Sequence, residues 1–173
     1  HQMVGGGVDG MQAWPILQNN ENTFLSGRSE EDLEVGFTGA AFILMRSLLP
    51  GMSVDGERTD YDTDGDGVAD LFIYRFVQDG KILTFASSSK DAEVSLDFAA
   101  YGLDADPTQI HIARLISDSG SSLDNDGTPV LRIDGTETLD GTDTTVDLSM
   151  NAWELVLLSI DENEAPADDP DQG

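Results

Sequence analysis

The sequence predicts a mostly-β chain, an antiparallel β-sandwich or jelly roll spanning residues 11–160, with one short helix around 30–49. Three observations lead there. Short apolar runs alternate with polar residues at the period of two that a half-buried strand imposes. Asp-Gly steps, which favour tight turns, recur at 9–10, 55–56, 79–80, 126–127, 134–135 and 140–141. Hydrophobic residues make up 39% of 173 residues, enough to build a core against a formal net charge of −26.

Taken in order, residues 1–10, HQMVGGGVDG, read as a flexible Gly-rich arm. Met11–Gln18 carries Trp14 and Pro15 and reads as an edge strand, with a polar loop over 19–32. Ser29 followed by Glu30, Glu31 and Asp32 resembles a helix start, acids in the first turn. The next segment, Leu33–Leu49, is either that helix or a buried strand. Gly36 and Gly39 argue against the helix, and Pro50 ends either one.

From Asp70 to Val77, Leu71, Ile73, Arg75 and Val77 alternate with Phe72, Tyr74 and Phe76, as in a strand. Gln78-Asp79-Gly80 then predicts a turn into Lys81–Ala86, making a hairpin. Glu93–Phe98 sets Val94, Leu96 and Phe98 on one face. Gln109–Ile116 begins with Ile110 and Ile112 in phase and changes phase at Leu115, which predicts a bulge or a short helix. Pro129–Ile133, Thr145–Met150 and Ala152–Ile160 complete the strands, and 161–173 reads as an acidic tail or linker. No repeat of fixed period occurs, which argues against a propeller or solenoid.

The 34 acidic residues are 24 Asp and 10 Glu, set against 8 basic residues of which only Lys81 and Lys90 are lysines. Such a surface repels nucleic acid and anionic lipid and attracts cations. It fits adaptation to high salt or seawater combined with Asp-rich ion sites. There is no cysteine, so disulfides and thiolate metal sites are absent and stability must come from core burial or bound metal. No apolar run reaches the length of a membrane span; the longest apolar stretch, Gly39–Leu49, is broken by Arg46. The first residue is His1 rather than Met, as expected of a mature secreted chain after signal-peptide removal.

The strongest motif is Asp62-Thr63-Asp64-Gly65-Asp66-Gly67-Val68-Ala69-Asp70. Calcium takes six to eight hard oxygen ligands, so it needs several carboxylates converging on one point. Acids at alternate positions supply them, and Gly67 lets the chain fold back. Asp62, Asp64 and Asp66 are the side-chain ligands expected in this register, with Val68 through its carbonyl and Asp70 closing the shell. Magnesium demands stricter octahedra and zinc prefers nitrogen or sulfur. An ordinary Asp/Gly turn is the alternative, but four empty carboxylates this close would repel one another. Asp55 and Asp60 lie just upstream and could extend the site; Asp124-Asn125-Asp126-Gly127 is a weaker echo, better read as a turn.

DTDGDGVADLFIY resembles the calcium loops of FG-GAP repeats and thrombospondin type 3 repeats, and more loosely those of dockerins and EF-hands. The likeness covers about a tenth of the chain. It implies the ion and its ligands, not a fold. The EF-hand register fits poorly, since its closing Glu would fall on Ile73.

Signs of catalysis are sparse. The only histidines are His1 and His111; a copper-binding histidine brace would require both, as in lytic polysaccharide monooxygenases, but no flanking motif accompanies them. Paired carboxylates for glycoside hydrolysis cannot be singled out among 34 acids. No Gly-x-Ser-x-Gly elbow, phosphate loop or His-Glu-x-x-His motif occurs. Trp14, Trp153, Tyr61, Tyr74 and Tyr101 could form a sugar-stacking platform. Of these Trp153, at the head of the last strand, reads as core, and Tyr61 and Tyr101 as the exposed ones.

These readings favour a non-catalytic secreted module, a calcium-stabilised β-sandwich acting in cell-surface or virion assembly or adhesion. The arm Met3–Gln18 would add a strand to a neighbouring copy. The rivals are a carbohydrate-binding module of a polysaccharide-degrading enzyme, whose partner is a polysaccharide, and the copper oxygenase.

Overall fold

The computed structural model describes residues 25–26, 34–101, 108–117, 129–139 and 143–161. The expected arm, the Met11–Gln18 strand, the Ser29 helix start, His1, Trp14, the Asp124–Gly127 turn and the tail beyond Asp161 lie outside them. The described chain is mostly β. Its strands are β1 (Leu25–Ser26), β2 (Glu34–Val35), β3 (Ser53–Val54), β4 (Thr59–Tyr61), β5 (Leu71–Gln78), β6 (Lys81–Ser88), β7 (Ala92–Asp97), β8 (Thr108–Ser117), β9 (Pro129–Leu139), β10 (Thr145–Met150) and β11 (Leu155–Asp161). One helix, α1 (Phe37–Leu48), precedes β3, and a single 3₁₀ turn covers Ala99–Tyr101.

Among the described residues every strand pairing is antiparallel, as predicted. A seven-stranded sheet runs β3-β5-β6-β11-β8-β9, with β4 sharing the outer edge of β5 with β3. Facing it, β7 and β10 pair along their whole length, from Ala92↔Met150 to Asp97↔Thr145. The space between these sheets holds the larger core: Leu71, Ile73, Ile82, Ala86, Ile110, Ile112, Val156, Leu158 and Ile160 from one side, Leu96, Val146, Leu148 and Met150 from the other. This is the β-sandwich the alternation predicts.

The outer face of the large sheet is apolar as well. Tyr74, Phe76, Leu83, Phe85, Leu115, Leu155 and Leu157 pack there beneath Met45 and the flank of α1. Burial on both faces explains why β5, β6 and β11 read as near-continuous hydrophobic runs. It also corrects the expected change of phase at Leu115. In β8 the alternation is regular, with Ile110 and Ile112 facing the sandwich core and Leu115 facing the helix. A bulge does exist beside Ile112, but its extra residue is on β9: Ile112 pairs with Gly135 and Ala113 with Ile133, leaving Asp134 unmatched.

Helix α1 begins at Phe37, inside the Leu33–Leu49 segment expected to be a helix or a buried strand. Glu34–Val35 instead pairs with Leu25–Ser26, and Gly36 takes the N-cap position without a side-chain bond. Packing of the apolar flank outweighs the low helix propensity of the buried Gly39. The helix stops where expected, Leu49 N–H closing on Met45 O at 2.9 Å just before Pro50. The β5–β6 hairpin uses a two-residue turn, with Asp79 at φ 47° and Gly80 at φ 80°, between the paired Gln78 and Lys81. Positive φ at both positions matches strand twist, so the Asp-Gly signal is correct here. Among the described residues no helix is long and apolar enough to cross a membrane.

Candidate metal centre

The loop Asp62–Asp70 joins β4 to β5, two strands that pair directly, so its ends are held together by the sheet. Tyr61 pairs with Leu71, and Asp70 N–H donates to Tyr61 O at 2.8 Å. Asp70 is 2% exposed and its own carbonyl accepts Ser89 N–H at 2.9 Å, which fixes it against the turn after β6.

Within the loop, each of the first carboxylates folds the backbone around itself. Asp62 Oδ1 accepts the N–H groups of Gly65 and Asp66 at 2.7 and 3.2 Å, and its Oδ2 accepts Gly67 N–H at 2.7 Å. Gly65 and Gly67 supply the positive φ, 78° and 87°, that this tight path needs. Asp66 Oδ1 accepts Val68 N–H at 2.8 Å. Asp70 Oδ2 accepts both the N–H and the hydroxyl of Thr63, at 3.1 and 2.9 Å. As a result Asp62, Asp64 and Asp70 each offer an oxygen within 4.8 Å of the others.

Of the five residues expected to bind calcium, those three converge. Asp66 stands outside that group. Val68, expected to contribute its carbonyl, is 64% exposed. The upstream acids are engaged elsewhere: Asp60 with the Arg58 guanidinium, and Asp55 Oδ2 with the Tyr101 hydroxyl, which donates at 2.5 Å.

Sequence reasoning missed a cation at the centre of the cluster. The Lys90 ammonium, from the turn between β6 and β7, lies 2.5 Å from Asp64, 3.3 Å from Asp66 and 3.0 Å from Asp70. The one available signal was rarity: Lys90 is one of two lysines in the chain. The charges respond accordingly. Asp64, then Asp70, hold the Lys90 ammonium well above the usual lysine range. The Gly67 N–H, followed by that of Gly65, lowers the Asp62 carboxyl. Burial pushes Asp70 up, but Lys90 and Thr63 together outweigh it and leave its carboxyl below the ordinary value. All the donors here are hard oxygens, the chemistry of calcium or magnesium rather than zinc.

The same end of the large sheet carries the two most exposed of the described Trp and Tyr side chains. Tyr61, expected to be exposed, is so at 39%. Trp153, expected in the core, is 50% exposed: it lies in the turn before β11, at φ 68°, rather than in the strand. Tyr74 is buried, and Tyr101 is half-buried against Phe98 with ring centroids 6.2 Å apart. Burial, reinforced by Asp55, pushes the Tyr101 hydroxyl up to about 12. His111 sits half-buried on β8, its Nδ1 3.3 Å from the Thr136 hydroxyl.

No family model matches the chain, and no curated protein sequence does. Solved structures are similar to it in fold. An arabinose-bound α-L-arabinofuranosidase of family GH51 superposes with a TM-score of 0.52 at 12% identity, over 86% of this chain and 23% of that one. The GH51 arabinofuranosidase from Xanthomonas axonopodis pv. citri gives a TM-score of 0.49 at 13% identity, over 80% of this chain and 29% of that one. This chain therefore spans about a quarter of the length of the proteins it resembles, and what it shares with the first of them is a fold.

Proposed function

We propose that this chain is a non-catalytic extracellular β-sandwich module of a carbohydrate-acting protein, stabilised by calcium held in the Asp62–Asp70 loop. The observation that carries the reading is the asymmetry of the 0.52 superposition. Nearly all of this chain is matched, yet less than a quarter of the arabinofuranosidase is. A sandwich that accounts for one part of a larger sugar-cleaving enzyme suits a module that binds or braces rather than cleaves.

The calcium half of the proposal rests on Asp62, Asp64 and Asp70, which would hold the ion; Asp66 lies 3.3 Å from the same Lys90 ammonium. Calcium bound there supplies a cross-link between chain segments, not a reactive group. Lys90 currently neutralises the same carboxylates, so ion binding exchanges one cation for another. The test is thermal unfolding with calcium and with EGTA, at low and high NaCl. A calcium-specific rise in Tm that disappears in the Asp64→Ala/Asp66→Ala variant is expected. Stabilisation by NaCl alone would remove the calcium site.

A second reading, assembly or adhesion at a surface, is favoured by one feature. From Gly36 to Val54 there is no acidic residue, and none from Pro129 to Ile133. These segments, α1 and the start of edge strand β9, border a cavity of about 560 Å³ lined by Val35, Ile43, Leu44, Leu115 and Leu131. Ile43, Leu131 and Ile133 are 57%, 46% and 69% exposed. A monodisperse monomer at high concentration, with and without calcium, would exclude this reading.

A further inference from the structure

Trp153 stands where neither its turn nor the core calls for tryptophan. Asn151–Glu154 form a β-turn, closed by Glu154 N–H donating to Asn151 O at 3.2 Å. Trp153 is the third residue of that turn and adopts φ 68°, a conformation that suits glycine or asparagine and strains a bulky side chain. Burial does not compensate, because half of the residue is exposed. Among the described aromatic residues it is the most exposed.

The backbone beneath the ring is nonetheless firmly held. Trp153 N–H donates to Ser88 O at 2.7 Å and Ala152 N–H to Asp91 Oδ1 at 2.9 Å. Glu154, only 4% exposed, accepts the Asn151 N–H at 3.1 Å and its side-chain amide at 2.6 Å, and is itself held by Arg114 at 2.8 Å. A strained, exposed aromatic on a rigid base is a pattern of functional sites.

We propose that the Trp153 indole is the stacking platform for an uncharged sugar ring of a polysaccharide; this rests on the carbohydrate reading above. A sugar face lined with C–H groups packs on an aromatic face, and a ring fixed in advance loses little freedom on binding. Asn151, on the same turn, and Asp91, which accepts the Ala152 N–H, are exposed polar residues near it in the fold. A net charge of −26 disfavours uronate-rich chains relative to neutral glycans. Tyr61 supplies a second contact. It pairs with Leu71, Leu71 pairs with Ser88, and Ser88 O holds Trp153, so the two residues are three strand spacings apart, about 14 Å at about 4.8 Å each. That separation suits two rings of one oligosaccharide.

The experiment is titration of the full chain with neutral arabino-, xylo-, agaro- and cello-oligosaccharides, read by calorimetry and tryptophan emission, with polygalacturonate as the charged control. Binding by the parent chain is expected, weakened at least about tenfold in Trp153→Gly and less in Tyr61→Ala. Because glycine suits φ 68°, Trp153→Gly should keep or raise the Tm. Unchanged affinity in that variant overturns the platform while leaving the carbohydrate reading standing. A lowered Tm overturns it too, by giving Trp153 a packing role. If no glycan binds the parent chain, the carbohydrate reading and the platform fall together.

Discussion

Lys90 and the carboxylates around it define opposite responses to two perturbations. In calcium-free buffer its ammonium offsets the repulsion among Asp64, Asp66 and Asp70, so Lys90→Met should lower the Tm. In calcium the same variant should bind the ion more tightly, because no cation has to leave first. Calorimetry on both forms checks this; unchanged affinity would mean that Lys90 does not compete. The pH response follows from the direction of each shift. Asp62, Asp70, Asp97 and Asp134 are all lowered in the folded chain, so their contribution is complete above their ordinary value of 3.8 and is lost as pH falls through the lower folded values. Tyr101 is raised from 10.0 to about 12, so its protonated form is favoured by folding. That contribution is full below pH 10 and disappears by about pH 12. A Tm profile should therefore fall at both ends, and Tyr101→Phe should flatten part of the alkaline limb.

At the scale of elements, the hairpin β5–β6 joins both cores. Phe85 lies between β5 and β11 in register, is fully buried, and meets Phe76 edge to face at 5.9 Å. Phe85→Ala should cost about 3–5 kcal/mol, measured by urea unfolding. Gly80→Ala should cost about 1 kcal/mol, because φ 80° opposes a Cβ. How much of this was legible varied with burial. In β10, Val146, Leu148 and Met150 face the core and the residues between them face water, so its ends could be read to the residue. In β8 a second buried face looked like a broken phase. The start of α1 was obscured because β2 is claimed by β1, a pairing that no local signal announces. The Asp loop is visible in the sequence because its four acids fall within nine residues of chain. Its counter-ion was not, since Lys90 reaches it only through the fold. Trp153 reads as core because hydropathy cannot distinguish a strand residue from one in the turn before it.

For the whole molecule, electrostatics and packing act on different parts. Charge repulsion spread over the surface should respond to any salt, whereas the loop should respond to millimolar calcium and little to sodium. Along the chain, Gly36–Val54 and Pro129–Ile133 carry no acid, so these two stretches stand out against a net charge of −26.

The position of β11 has a consequence for how the molecule comes into being. It is the last of the described strands along the chain, yet it sits between β6 and β8 near the middle of the large sheet. During synthesis, β5 and β6 can zip into a hairpin early and β8 and β9 later, and β10 can then pair with β7, but within the large sheet the two hairpins share no edge until residues 155–161 emerge. A ribosome-bound chain that stops before Leu155 would present two raw apolar edges facing one another. Chains released short of that point should aggregate rather than accumulate as stable partial folds, and the final strand acts as the keystone that converts two hairpins into one sheet.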